Sequence, residues 1–137
     1  FDAIYNENSS AVKELNMKMA EYTKAVVDGR PAFHINLVID VSPYCDCHPE
    51  NDVPILPDIG MFASFDPVSL DQACADACNA QKPMPGSILD EHIHEEGFCD
   101  HHDHFVNTTP ESEWETCLEH GEKIGLGHRE YELIEVK

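Results

Sequence analysis

The chain is short of positive charge. Eight Lys and Arg stand against 27 Asp and Glu in 137 residues, a formal net charge of −19. Binding nucleic acid or anionic lipid depends on basic side chains neutralising phosphates, so this surface would repel both and favours cations or a basic protein partner. Long apolar runs are missing as well. None approaches the roughly 20 residues that span a bilayer, so no membrane helix is encoded. No glycine-rich stretch opens a helix; Gly125 and Gly127 follow one and read as a cap, not a phosphate cradle. A nucleophile elbow and a separated Cys-His-Asn pattern are absent too, and a nucleophilic Cys without a base has no chemistry to perform.

The first residues show no leader pattern either. The chain opens on Phe1, and residues 1–9 carry neither a basic segment nor an apolar signal core. This reads as a processed product or a piece of a longer polypeptide. The six cysteines are an even number, but Cys45 and Cys47 are one residue apart, and Cys74 and Cys78 share a helix face. That spacing, with no export signal, predicts reduced thiols and a cytoplasmic setting rather than a disulfide framework.

What is present suffices for a single α/β domain over residues 1–137, or for a fragment of a larger one. Ser9 or Ser10 can cap a helix running to about Asp28, with Val12, Leu15, Met19, Tyr22 and Val26 drawing an apolar stripe that would pack on the chain's own sheet. Gly29 stops it and Pro31 forbids its resumption. Phe33–Val41 alternates as a strand, with Phe33, Ile35, Leu37, Ile39 and Val41 on one face and His34, Asn36, Val38 and Asp40 on the other. Ile59–Ser64 is a short apolar run suited to a central strand. Asp66-Pro67 is a cap-and-proline helix start, and the helix reaches about Ala80 with Leu70, Ala73, Cys74, Ala77 and Cys78 inward. Thr109-Pro110 would open another helix carrying Trp114, Cys117, Leu118 and Gly121. Glu130–Val136 reads as a last, edge strand. The expected fold is α/β, a small parallel or mixed sheet with flanking helices, incomplete enough that strands from elsewhere would help it.

Two loops carry the chemistry. At residues 42–58, Pro43, Pro49, Pro54 and Pro57 stiffen an excursion that holds Cys45, Cys47 and His48 at a strand exit. Thiolate and imidazole suit zinc, and thiolates suit iron–sulfur clusters. In extended backbone residues i and i+2 face one side, so Cys45 and Cys47 can reach one ion. A full site needs about four ligands, so others must be recruited. At residues 86–108, His92, His94, Cys99, His101, His102 and His104 stand among carboxylates, and His92-x-His94 and His102-x-His104 could each chelate a divalent ion. The bland readings are cysteines in a tight loop and a solvated, pH-sensitive acidic loop. Cys74 and Cys78 read as core residues. His34 reads as a hydrogen-bonded sheet histidine, and Asp40 or Asp58 as support behind the loop. Cys117 or His120 could complete either site.

Several segments resemble the prokaryotic domain-of-unknown-function family 362. They are Asp40-Val-Ser-Pro-Tyr-Cys-Asp-Cys-His48, Val53-Pro-Ile-Leu-Pro-Asp-Ile-Gly60 and Phe62-Ala-Ser-Phe-Asp-Pro-Val-Ser-Leu-Asp-Gln-Ala73. The tail Glu122-Lys-Ile-Gly-Leu-Gly127 with Arg129-Glu-Tyr-Glu-Leu-Ile134 is similar too. The resemblance is to the carboxyl-terminal part of the family domain. It implies an absent amino-terminal portion, and an association with iron–sulfur proteins and a ferredoxin-type redox partner. The Cys-x2-Cys-x2-Cys run of such a module is not in this chain.

The expected function is therefore a metal-binding domain of a redox-associated protein, zinc favoured and an iron–sulfur cluster the alternative. Cys45, Cys47, His48, His92, His94, His102 and His104 are the ligand candidates. The rival is an acidic scaffold whose His-rich loop binds ions or a partner, as a homo-oligomer or with its missing portion. An enzyme using the metal with an open coordination position is a third reading.

Overall fold

A computed structural model of the chain describes residues 9–45, 49, 51–99 and 102–136. Helix α1 (Ser9–Val27) leads through Gly29, at φ +69°, into strand β1 (His34–Val38). Strand β2 (Gly60–Ser64) pairs with β1 antiparallel, His34 opposite Ser64 and Val38 opposite Gly60. A parallel or mixed sheet was expected, and this corrects it. A parallel partner needs a crossover that carries the chain back to the starting edge. No helix stands among the described residues between β1 and β2, so β2 begins where β1 ends.

Helix α2 (Pro67–Asn79) starts as its sequence dictates. Asp66 accepts from the backbone N–H groups of Val68 and Ser69, and Pro67 occupies the first turn. The helix packs on both strands and also touches α5 (Trp114–Lys123). Its small residues fit that sandwiched position: Ala73, Ala75 and Cys78 are buried with Val68 and Leu70. Helix α5 ends as anticipated at Gly125. The Gly125 N–H donates to the Glu122 carbonyl and the Leu126 N–H to that of Gly121, a Schellman motif.

Three further expectations are corrected. Helix α1 packs against α5 rather than on the sheet, burying Ala20 and leaving Met19, Tyr22 and Val26 exposed. The polar stretch 86–108 is partly helical, with α3 (Ile88–His94) capped by Ser87 and α4 (His104–Thr108) capped by Asp103. The tail is no strand: residues 130–136 make no ladder, and Tyr131 instead donates its hydroxyl to Asp76 Oδ2 at 2.7 Å.

The main core gathers Val38, Ile55, Leu56, Cys78 and Leu89, with Phe62, Ile93 and Phe105 packed around it. It lies where β1, the returning loop and helices α2, α3 and α4 meet. No helix among the described residues is long and apolar enough to cross a membrane.

Candidate metal centre

Between β1 and β2 the proline-stiffened loop is closed at its base by backbone bonds, among them the Ile59 N–H donating to the Val38 carbonyl at 2.9 Å. The Ile55 N–H donates to the Val41 carbonyl at 2.8 Å. Asp40 takes a left-handed φ of +49°, a conformation aspartate tolerates, and its N–H donates to Asp58 Oδ1 at 2.9 Å. The Asp40 backbone and the Asp58 carboxylate thus shape the strand exit. Inside this closed base lies a cavity of about 310 Å³, lined by Val41, Pro43, Tyr44 and Cys45 on one side and by Phe105, Thr108, Thr109 and Ser112 on the other. Cys45 is exposed at its rim. Cys47 and His48 lie outside the described residues, as does His101.

The two chemistry-bearing stretches therefore meet. They do so through α4 and the turn after it, not through imidazoles. His92 donates from Nδ1 to the Asn107 carbonyl at 2.9 Å, tying α3 to α4. His94 donates from Nδ1 to the Asp90 carbonyl of its own helix at 2.6 Å. His104 donates from Nε2 to the Gln81 carbonyl at 2.8 Å, and its Nδ1 is buried without a hydrogen-bond partner. His102 is exposed, at φ +53°. A carbonyl that takes one ring N–H fixes the tautomer and leaves the other nitrogen with a free lone pair, as in most histidine metal ligands. In His92 and His94 that atom is Nε2; in His104 it is Nδ1. Among the described residues no three or more His, Cys, Asp or Glu side chains are grouped to hold an ion.

Two candidates for completing the site sit elsewhere. His120 Nε2 lies 3.1 Å from Glu21 Oε1 on α1, and burial pushes the Cys117 thiol up. Cys78 belongs to the core, where burial raises its thiol pKa to about 11. Cys74 is raised by burial too, partly offset by the Asn36 amide, which also donates to Asp71 Oδ1 at 2.7 Å. His34 packs inward beside this cluster, but its Nε2 is buried with no partner, contrary to expectation.

Because the thiolate is the nucleophile, exposure and pKa order the cysteines. Brief iodoacetamide labelling of the native chain, mapped by mass spectrometry, should modify exposed Cys45 and Cys99 first, Cys74 and Cys117 later and Cys78 last. Cys78 labelled as fast as Cys99 would contradict this core.

Sequence reasoning missed the far wall of the cavity. Phe105 and Thr108 fall in the expected loop and Thr109 at an expected helix start that α5, beginning only at Trp114, does not use, and nothing in these residue types announces that they will face a cysteine. The Asp103 hub was missed as well. Its Oδ1 caps α4 and its Oδ2 accepts from Trp114 Nε1 at 2.8 Å, with the Trp114 ring tilted 55° to Phe105 at 5.5 Å.

No curated protein and no solved structure matches the chain. One family model does, over residues 3–76. This corrects the assignment to a carboxyl-terminal part, because the match covers the amino-terminal part of the chain and leaves the similar-looking tail at 122–134 outside it. It takes in α1, both strands, the Cys-x-Cys-His loop and most of α2. Spanning more than half of the 137 residues, it places this chain in the family described as domain of unknown function DUF362.

Proposed function

We propose that the chain is a metal-binding module of a redox-associated protein, holding a divalent cation at the loop of residues 42–58. Cys45, Cys47 and His48 supply ligands, and an imidazole from the His92–His104 segment completes the set. The observation that carries this reading is Cys45 at the rim of a cavity whose opposite wall comes from α4 and its following turn. The carbonyl-fixed tautomers of His92, His94 and His104 are the second support. Zinc is favoured over an iron–sulfur cluster because nitrogen donors abound and only two thiols converge by spacing. When bound, the metal would supply charge and a fixed geometry. The chain's own part is to release thiol protons as ligands form, so affinity rises with pH.

Titration of chelator-stripped protein with zinc against a coloured competitor is expected to give one equivalent bound. Joint Cys45→Ser and Cys47→Ser replacement should weaken it by on the order of 100-fold or more, and His92→Ala with His94→Ala by about 10–100-fold. Unchanged zinc binding in the double serine variant would sink the assignment. Colour with acid-labile sulfide after anaerobic purification would assign a cluster to the loop instead. A second reading, an interaction domain, is favoured by the bare sheet face described next.

A further inference from the structure

The sheet is inside out by the ordinary rule. His34, Asn36 and Val38 face inward, while Phe33, Ile35, Leu37, Ile39, Met61 and Phe65 are each 44–78% exposed. These six side chains lie on one face. By register, Leu37 stands opposite Met61 and Ile35 opposite Ala63, and the Phe33 and Phe65 rings meet at 5.0 Å. The five helices among the described residues leave this face uncovered: α2 takes the other side, and α1, α3, α4 and α5 pack on helices or on the core.

We propose that this face joins two copies of the chain, sheet on sheet, about a two-fold axis running across the strands. Such an axis lays the aromatic end of one copy over the Leu37–Met61 end of the other. The low Ile35–Ala63 pairs then meet at the centre, and the bulky pairs at either end close around them. Charge has the same polarity. Arg30 shares a cavity with Phe65 at the aromatic end, and Asp40 and Asp58 stand just beyond Val38 and Gly60 at the other. The axis therefore brings each copy's Arg30 toward the other's carboxylates, a closed and self-complementary arrangement.

Area supports a copy as occupant. Exposed to this degree, six large side chains present on the order of 600 Å², at the upper end of the roughly 300–600 Å² a monomer leaves in one patch. A standard interface takes about 800 Å² from each partner, which the strand flanks can supply. The six patch side chains are uncharged, so the charged groups named above lie at the two ends of the contact. This dimer does not depend on the metal.

Sedimentation velocity of the 137-residue chain, with excess chelator, tests it. A monomer–dimer equilibrium with Kd on the order of 1–10 μM is expected. Leu37→Glu and, independently, Met61→Glu should each weaken it by about 100-fold or more while circular dichroism is unchanged. Leu133→Glu, at an exposed position off the sheet, should not. Arg30→Glu should weaken it by about tenfold. A wild-type chain that stays monomeric to about 200 μM would overturn the proposal and assign the face to a different polypeptide. Dimers that survive both glutamate replacements would overturn it too.

Discussion

Leu89→Ala is expected to destabilise the chain by about 2–5 kcal/mol, read as a shifted urea midpoint at unchanged slope. Leu89 has no exposed surface and sits with Val38, Ile55, Leu56 and Cys78 in the main core. It is the α3 side chain that pins the His92–His94 helix to β1 and to the returning loop. Truncation removes buried methylenes and leaves a void that neighbours on three different segments cannot close together. With ordinary domains stable by about 5–15 kcal/mol, the loss is a large fraction of the total. Leu133→Ala is the matched control. The same atoms are removed from a side chain 65% exposed, and a change within about 0.5 kcal/mol is expected. Equal midpoints for the two variants would show that α3 does not dock where described.

Gly127→Ala is expected to cost about 2–3 kcal/mol. Gly127 is required for space rather than for backbone freedom. A Cβ there would fall onto the Asp66 carboxylate. That carboxylate cannot simply move, because Oδ1 holds the first turn of α2 through Val68 and Ser69 while Oδ2 accepts the His128 N–H at 2.8 Å. Giving way breaks either the helix cap, worth about 0.5–2 kcal/mol, or the anchor of the tail. A double-mutant cycle separates these. In an Asp66→Ala background the obstructing oxygens are gone, so Gly127→Ala should add less than about 0.5 kcal/mol. Additive effects would mean that the glycine serves its backbone and not its neighbour.

The tail shows why that glycine was misread. Gly125-Leu126-Gly127 signals a helix stop, and Gly125 at φ +75° with its paired carbonyl bonds fulfils it. Nothing in the triplet says that the second glycine will be pressed against a cap 61 residues earlier. Arg129 carries the same lesson. As one of few basic residues it could have faced solvent, yet it donates from Nε to Gln72 at 2.7 Å and lies 3.5 and 3.7 Å from Glu115 and Glu119. It binds the tail to α2 and α5, so the Glu130–Val136 pattern runs beside helices instead of joining a sheet.

By itself the sequence determined whatever depends on a few consecutive residues. Asp66-Pro67 starts α2, Gly29 ends α1, alternation makes β1, and among the described residues no helix or strand interrupts the proline-bearing stretch between β1 and β2. Those outcomes follow from dihedral preference and local hydrogen bonding, which the chain carries wherever it goes. Tertiary structure decided which face of each element is inside. The apolar set of β1 lost the core to His34, Asn36 and Val38 because α2 approaches from their side. The stripe of α1 lost to Ala20, since a close crossing beside Gly121 selects small residues over large ones. Burial is a property of the pair of surfaces, and the sequence states only one of them at a time. At the Cys45 loop the same division holds. Spacing named the sulfur and imidazole donors, while the fold chose the neighbour across the cavity, the hydroxyl-bearing turn after α4.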